Sequence, residues 1–158
     1  MSAASLVGRP APAFALRDQD ERMVSLMELI ARGPLVLAFY PIDFSPVCSK
    51  QLCTYRDGYD DIRTMGVQVV GISPDPPSRH REFIAAKSFP FPLLSDPDRR
   101  VFRAYGVVPR WLSIRTRGLV IVGRNGRVLD ERIEPTMFTH RGARELVGML
   151  RALGRRLQ

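Results

Sequence analysis

The chain contains two cysteines, Cys48 and Cys53, separated by only five positions. A single pair is too few for the disulfide framework of a small secreted protein. Cys48 follows Ser45 and Pro46, a serine that can cap a helix and a proline suited to its first position. This places Cys48 in the first turn, where the helix dipole and unpaired backbone N–H groups favour a thiolate. The spacing therefore predicts a nucleophile; the alternative is a small buried core cysteine.

The spacing of Cys48 and Cys53 also restricts what the pair can do. On an intact helix, residues five apart are about 140° apart around the axis, with Cα atoms about 8.6 Å apart. A disulfide usually requires about 4.4–6.8 Å between Cα atoms. A bond between the two sulfurs therefore requires the first turn or two of the helix to unwind. We expect such a bond to form in a redox cycle rather than as a permanent crosslink.

The elements around the cysteines alternate between strands and helices. Short apolar runs at 35–40 and 67–72 are typical of buried central strands. Helical spacing follows Pro46, and a second helical stretch covers 78–87. The helical spacing after Pro46 is carried by Leu52, Tyr55, Tyr59 and Ile62. This βαβα order predicts a parallel core to the sheet.

Two hairpins and a last helix complete the predicted architecture. Residues 14–16 and 23–25 flank a polar turn, and Asn125-Gly126 joins 119–122 to 127–129. A final amphipathic helix is predicted over 137–153. The order fits an α/β fold, a thioredoxin-like αβα sandwich with a central mixed sheet and an N-terminal β-hairpin. We expect one domain over residues 1–158.

Composition excludes several classes of protein. The chain has 45% hydrophobic and 25% charged residues, which are ordinary globular values. The longest apolar stretch, 33–42, is half of the ~20 residues that a bilayer requires, and residues 1–9 lack the apolar core of a signal peptide. We therefore expect neither a membrane span nor export. The net charge of +8 comes from scattered arginines without a long run, which is typical of a solvated surface rather than a nucleic-acid site.

The segment around Cys48 resembles the active-site motif of the peroxiredoxin family: proline, three residues, threonine or serine, two residues, cysteine. Pro41, Ser45 and Cys48 occupy these positions. Cys53 is similar to the resolving cysteine of the bacterioferritin comigratory protein (PrxQ) branch, five residues further on. The resemblance continues in order through 7–14, Gln51, 56–57, 71–75, His80, Phe83, 91–96 and 105–107.

The resemblance implies a peroxidase that reduces hydrogen peroxide or an organic hydroperoxide. Cys48 would attack the O–O bond and become a sulfenic acid, with donors such as Ser45 stabilising the developing negative charge. Pro41 would shield the sulfur from water. Cys53 would condense with the sulfenic acid, and a thioredoxin-like dithiol would reduce the disulfide. This chemistry requires no metal, flavin or haem.

The family also has an arginine near the cysteine, and the resemblance assigns it to Arg117, the residue that leads a strand before the Gly126 hairpin. A guanidinium there would favour the thiolate and orient the peroxide. Arg110 and Arg115 are the alternatives in the same stretch. His80 matches a recurring family position, and we expect it on a helix surface, ordering local structure rather than acting as a base. The two histidines and two cysteines are not spaced as a zinc site.

Three functions remain open from the sequence alone. The favoured one is a thiol peroxidase using Cys48 and Cys53, with a one-cysteine mechanism as its variant. The second is a peroxide sensor or thiol relay that passes its disulfide to a protein partner. The third is a basic nucleic-acid-associated protein. For the favoured function we expect a cytoplasmic protein without nucleic-acid or membrane partners, as a monomer or weak homodimer.

Overall fold

The computed structural model describes residues 5–107, 117–134 and 142–158. Its strands are β1 (Ala15–Arg17), β2 (Met23–Ser25), β3 (Leu35–Phe39), β4 (Gln68–Ser73), β5 (Leu93–Ser95), β6 (Arg117–Val122) and β7 (Val128–Glu134). They form a seven-stranded sheet in the order β2-β1-β5-β4-β3-β6-β7. The two short strands of the N-terminal hairpin lie at one edge, and the Asn125-Gly126 hairpin supplies the other. Both predicted hairpins are confirmed.

The helices are α1 (Leu26–Arg32), α2 (Pro46–Asp57), α3 (Tyr59–Thr64), α4 (Pro77–Lys87), α5 (Arg100–Ala104) and α6 (Ala143–Leu153), followed by a 3₁₀ turn, Gly154–Leu157. The last predicted helix begins at Ala143 in the described residues; positions 137–141 lie outside them. Among the described ranges, no helix is both long enough and apolar enough to cross a bilayer.

The helical pattern after Pro46 belongs to two helices that meet at Gly58. A Cβ at Gly58 would lie 2.7 Å from the Ala143 Cβ, so α6 can approach this junction only because the residue is glycine. The Gly58 amide donates to the Thr54 carbonyl and closes the last turn of α2. The break therefore ends α2 where α6 packs against it.

The sheet is mixed, as predicted, and its central strands set the position of the site. β3 runs parallel to β4, and β4 parallel to β5. β6 runs antiparallel to β3 on the other side, with Phe39 opposite Gly118. Because the two strands run in opposite directions, the first residue of β6, Arg117, lies at the carboxyl end of β3. That end is also where the chain enters α2.

Both faces of the sheet are covered, which makes a three-layer αβα sandwich. Alternate residues of β3 face opposite sides, because side chains alternate along a strand. Val36 and Ala38 belong to a core with α2, α3, α4 and α6, whereas Leu35, Leu37 and Phe39 belong to a core with α1 and α5. All five residues of β3 are fully buried. The apolar run read as a strand buried on both faces is therefore confirmed.

Candidate active site

The junction between β3 and α2 places Cys48 in the first turn of α2. Ser45 has extended backbone angles and caps the helix, and Pro46 stands at its first position. The Ser45 Oγ accepts a hydrogen bond from the Cys48 amide at 3.1 Å. The predicted N3 position of Cys48 and the capping role of Ser45 are both confirmed. Cys48 is a free thiol and is fully buried.

The first turn of α2 carries no acidic residue. The positive end of the helix dipole at Cys48 is therefore not offset by a carboxylate on the same turn. The Cys48 amide of this turn donates to the Ser45 hydroxyl and Pro46 has no N–H, so the turn acts on the sulfur mainly through its dipole. A negative charge placed on the Cys48 sulfur would therefore meet the positive end of the helix dipole.

Arg117 contacts α2 at Gln51, which lies one helical turn after Cys48. Its side chain is 1% exposed, and its Nη1 donates to the Gln51 Oε1 at 2.9 Å. Gln51 stands three residues after Cys48, on a neighbouring part of the same helix surface. Arg117 is thus a buried guanidinium directed at α2. Arg110 and Arg115 lie outside the described residues.

Gln51 and Tyr55 extend the contact into α2 and were not singled out from the sequence as site residues. The Gln51 Nε2 donates to the Tyr55 hydroxyl at 3.0 Å, and both side chains are buried. The amide of Gln51 therefore accepts from Arg117 at one atom and donates to Tyr55 at the other. The available signal was the spacing: Gln51 and Tyr55 lie three and seven positions after Cys48, on the buried stripe of the helix.

Cys53 lies on the same unbroken helix as Cys48 and is a free, half-buried thiol. The part of α2 that follows it is fixed by other elements. The Thr54 Oγ1 donates to the Gln51 carbonyl at 2.7 Å and accepts from the Ala143 amide at 3.2 Å. The Arg56 Nη1 donates to the Lys87 carbonyl at 2.7 Å. The end of α2 after Cys53 is therefore held to α4 and α6, while the Thr54 hydroxyl also ties it to the turn before Cys53.

The expectation for His80 is wrong, because its side chain is fully buried rather than on a helix surface. Its Nδ1 lies 2.7 Å from the Asp43 Oδ2, and its Nε2 lies 3.0 Å from the Leu94 carbonyl. The spacing carried a signal: Phe83, three residues later on α4, is buried on the same face. A histidine on an apolar helix face points into the core when a carboxylate is there to meet it.

Tyr40 and Pro41 begin the loop that connects β3 to α2, and both are buried. The Tyr40 hydroxyl donates to the Asp43 Oδ1 at 2.6 Å. Burial, and then the nearby Asp43 carboxylate, raise the pKa of Tyr40 well above its usual value. The hydroxyl therefore stays protonated and remains a donor. Buried side chains of this loop thus make specific hydrogen bonds. Such bonds give a site fixed geometry.

The AhpC/TSA family model matches residues 7–130. A chloroplastic peroxiredoxin Q of Oryza sativa subsp. japonica is 46% identical over 122 residues, which are 77% of this chain and 56% of the rice protein. A putative peroxiredoxin of Mycobacterium tuberculosis is 48% identical over 99 residues, 63% of this chain and 62% of that one. The chain spans little more than half the length of the plant relatives.

A solved structure supports the same relationship. The crystal structure of peroxidoxin BcpB from M. tuberculosis superimposes with a TM-score of 0.83 at 31% identity, covering 95% of this chain and 99% of that one. Peroxiredoxin Q of Xanthomonas campestris has a TM-score of 0.77 at 24% identity, over 88% and 90% of the two chains, and shows the fold. The expected thioredoxin-like sandwich is thereby confirmed.

The Ser45 cap gives a direct prediction about stability. Ser45→Ala removes the acceptor of the Cys48 amide, and we expect the free energy of unfolding to fall by about 1 kcal/mol. Ser49→Ala is the matched control, because it makes the same chemical change inside the helix, where alanine is favoured, and should change stability by less than about 0.5 kcal/mol. Urea unfolding measures both. An equal loss in the two variants would contradict the capping role.

Proposed function

The chain belongs to the AhpC/TSA family, whose relatives described above are peroxiredoxins, and from that premise we propose that it is a thiol peroxidase with Cys48 as its attacking group. The observation that carries the proposal is the position of Cys48, whose amide is capped by Ser45 in a helix turn that lacks a carboxylate. A thiolate there can attack one oxygen of hydrogen peroxide or of an organic hydroperoxide.

The first step transfers one oxygen to sulfur. The Cys48 thiolate donates an electron pair to the terminal oxygen of the peroxide, the O–O bond breaks, and hydroxide or an alkoxide leaves. The sulfur becomes a sulfenic acid, and the leaving oxygen takes a proton to become water or an alcohol. Negative charge moves from sulfur to oxygen during this step, so fixed donors near the reacting atoms lower the barrier.

Arg117 is proposed to supply positive charge to this step. Its guanidinium is held through Gln51 one turn from Cys48 and is excluded from bulk water. Charge in such a site acts more strongly than charge in water, because the surroundings screen it less.

The burial of Cys48 restricts access to it. A sulfur with 0% exposure is reached only when the chain around the start of α2 moves. Pro41, buried at the entrance to the loop, is proposed to keep water from the sulfur between such movements. A small peroxide needs less opening than a bulky one, and water exclusion protects the thiolate from competing proton transfer.

Cys53 is proposed to resolve the sulfenic acid. Its sulfur attacks the Cys48 sulfur, a disulfide forms and water leaves, which requires the first turns of α2 to unwind. The hydrogen bond from the Ala143 amide of α6 to Thr54 supports this role, because it holds the helix after Cys53 while the turns before it open. Opening those turns also breaks the hydrogen bonds that Gln51 makes with Thr54 and Arg117. A thioredoxin-like dithiol would then exchange with the disulfide and restore both thiols, which suits a cytoplasmic location.

Two alternative functions differ from this proposal in the role of Cys53. A one-cysteine peroxidase would use an external thiol directly on the sulfenic acid. A peroxide sensor or thiol relay would pass the disulfide to a protein partner. The two-cysteine peroxidase is favoured because Cys53 lies on the same helix and is half-buried within reach of an unwound first turn, rather than being exposed to partners.

The central experiment measures the intact mass of the reduced protein after it has reacted with one equivalent of hydrogen peroxide. Any remaining thiols are blocked only after that reaction. We expect the wild type to lose about 2 Da as the Cys48–Cys53 disulfide forms, and Cys48→Ser to remain unchanged. Cys53→Ser should instead gain about 16 Da as a sulfenic acid, or about 32 Da after a second oxidation. A gain of oxygen by the wild type would contradict resolution by Cys53. Oxidation of Cys48→Ser at the wild-type rate would contradict the peroxidatic role of Cys48.

Arg117→Lys tests the guanidinium. The ammonium keeps the charge but loses the planar fork that reaches Gln51, and we expect the rate constant for oxidation by hydrogen peroxide to fall about 100-fold. Arg132→Lys, on the partly exposed strand β7, is the matched control and should leave the rate unchanged. Rapid-quench kinetics on the reduced proteins measures both variants. Equal rates in the two would show that Arg117 is a structural residue only.

A further inference from the structure

The imidazole of His80 is fixed between two hydrogen-bond acceptors in the core. A backbone carbonyl can only accept, so the Nε2 that faces the Leu94 carbonyl at 3.0 Å carries a proton. The Nδ1 lies 2.7 Å from the Asp43 Oδ2, and a second proton lies between these two atoms. The other oxygen of Asp43 already accepts from Tyr40. The contact between His80 and Asp43 is therefore a short hydrogen bond between two fully buried side chains.

Asp43 connects this pair to the loop that leads into α2. It stands two residues before the capping residue Ser45. The Asp43 amide donates to the Asp75 Oδ2 at 2.7 Å, and the Ser73 hydroxyl donates to the same oxygen at 2.8 Å. The loop is thus held by its backbone to the end of β4 and by its side chain to α4. Tyr40, Asp43 and Asp75 are the titratable groups that surround the imidazole through these contacts.

Phe44, between Asp43 and Ser45, has a backbone conformation that needs such support. Its φ is +65°, in the left-handed region that a bulky side chain avoids. Its ring packs 4.8 Å from the Phe83 ring, and Arg79 covers it at 5.0 Å, but it stays 37% exposed. Surface contacts of this kind are weak restraints. The buried hydrogen bond between His80 and Asp43 is the stronger restraint on this loop.

We propose that His80 is a positioning residue for Cys48, acting through Asp43 on the loop that caps α2. The inference rests on the proposed peroxidase function and extends it to α4. Without the Asp43 contact, Phe44 relaxes towards an ordinary backbone conformation, which rotates Ser45 and withdraws its hydroxyl from the Cys48 amide. The sulfur then loses both its capped turn and its fixed distance from Arg117.

Two substitutions of His80 separate positioning from mere stability. His80→Asn carries an amide N–H near the place of Nδ1 and can still donate to Asp43. His80→Gln carries one near the place of Nε2 and can donate only to the Leu94 carbonyl. Both variants lose the ring, so both destabilise the fold. Positioning predicts that His80→Asn keeps the oxidation rate constant within about threefold of wild type, whereas His80→Gln loses at least about tenfold.

The rates are measured by stopped flow on reduced protein without urea. Urea unfolding curves first establish that each variant is folded under these conditions. Arg79→Gln is the matched control on α4, since it changes only the contact with the Phe44 ring and should react like wild type. Equal losses in His80→Asn and His80→Gln, or no loss in either, would overturn the proposal. If His80→Gln does not fold, the double variant Asp43→Leu, His80→Leu replaces it, because apolar pairs often substitute for buried ion pairs without loss of stability.

Failure of the peroxidase function is distinguishable from failure of this inference. If wild type does not react with hydrogen peroxide, the proposed function is wrong. Alkylation of Cys48 by iodoacetamide in a Cys53→Ser background then reports the state of the sulfur without any peroxide chemistry. If wild type and His80→Asn are alkylated fast and His80→Gln slowly, the result supports the positioning role of His80. Equal alkylation rates in the three proteins overturn that role.

Discussion

The hydrogen bond from the Cys48 amide to the Ser45 hydroxyl is the contact on which the proposed chemistry of this fold depends. It fixes where α2 begins, and the start of a helix is where backbone dipoles and free N–H groups converge. One residue of slippage would turn the cysteine by about 100° around the axis and out of the capped turn. The serine, the proline and the cysteine therefore act as one unit, and the rest of the structure keeps that unit at the end of β3.

The topology of the sheet explains how distant residues reach this turn. A parallel strand beside β3 would begin at the amino end of β3. The antiparallel β6 instead begins at the carboxyl end of β3 and carries Arg117 there. On the other side, parallel β4 ends beside β3, so Asp75 meets the backbone of Asp43. The mixed sheet thus brings a buried cation, Arg117, and a half-buried carboxylate, Asp75, to the same end of the molecule. Site residues gather at strand ends in many α/β folds for this reason.

Local features could be predicted from the sequence because their causes are local. The cap at Ser45, the hairpin at Asn125-Gly126 and the buried strand β3 each follow from a few adjacent residues. The partner of His80 could not be predicted, because it is a carboxylate 37 positions away. The contact of Gln51 with Arg117 spans 66 positions and is set by which strand lies beside β3. Neither periodicity nor propensity contains that information.

Cys48 and Cys53 share one helix yet differ in surroundings. Cys48 has a capped amide, a first-turn position and complete burial, whereas Cys53 is half-buried in the helix interior. The most direct test of the central claim is the rate constant for oxidation by hydrogen peroxide in the two single-cysteine proteins, Cys53→Ser and Cys48→Ser. If the capped turn makes the nucleophile, the protein that keeps Cys48 reacts at least about 100-fold faster than the one that keeps Cys53. Equal rate constants would contradict the assignment of Cys48 as the attacking thiol.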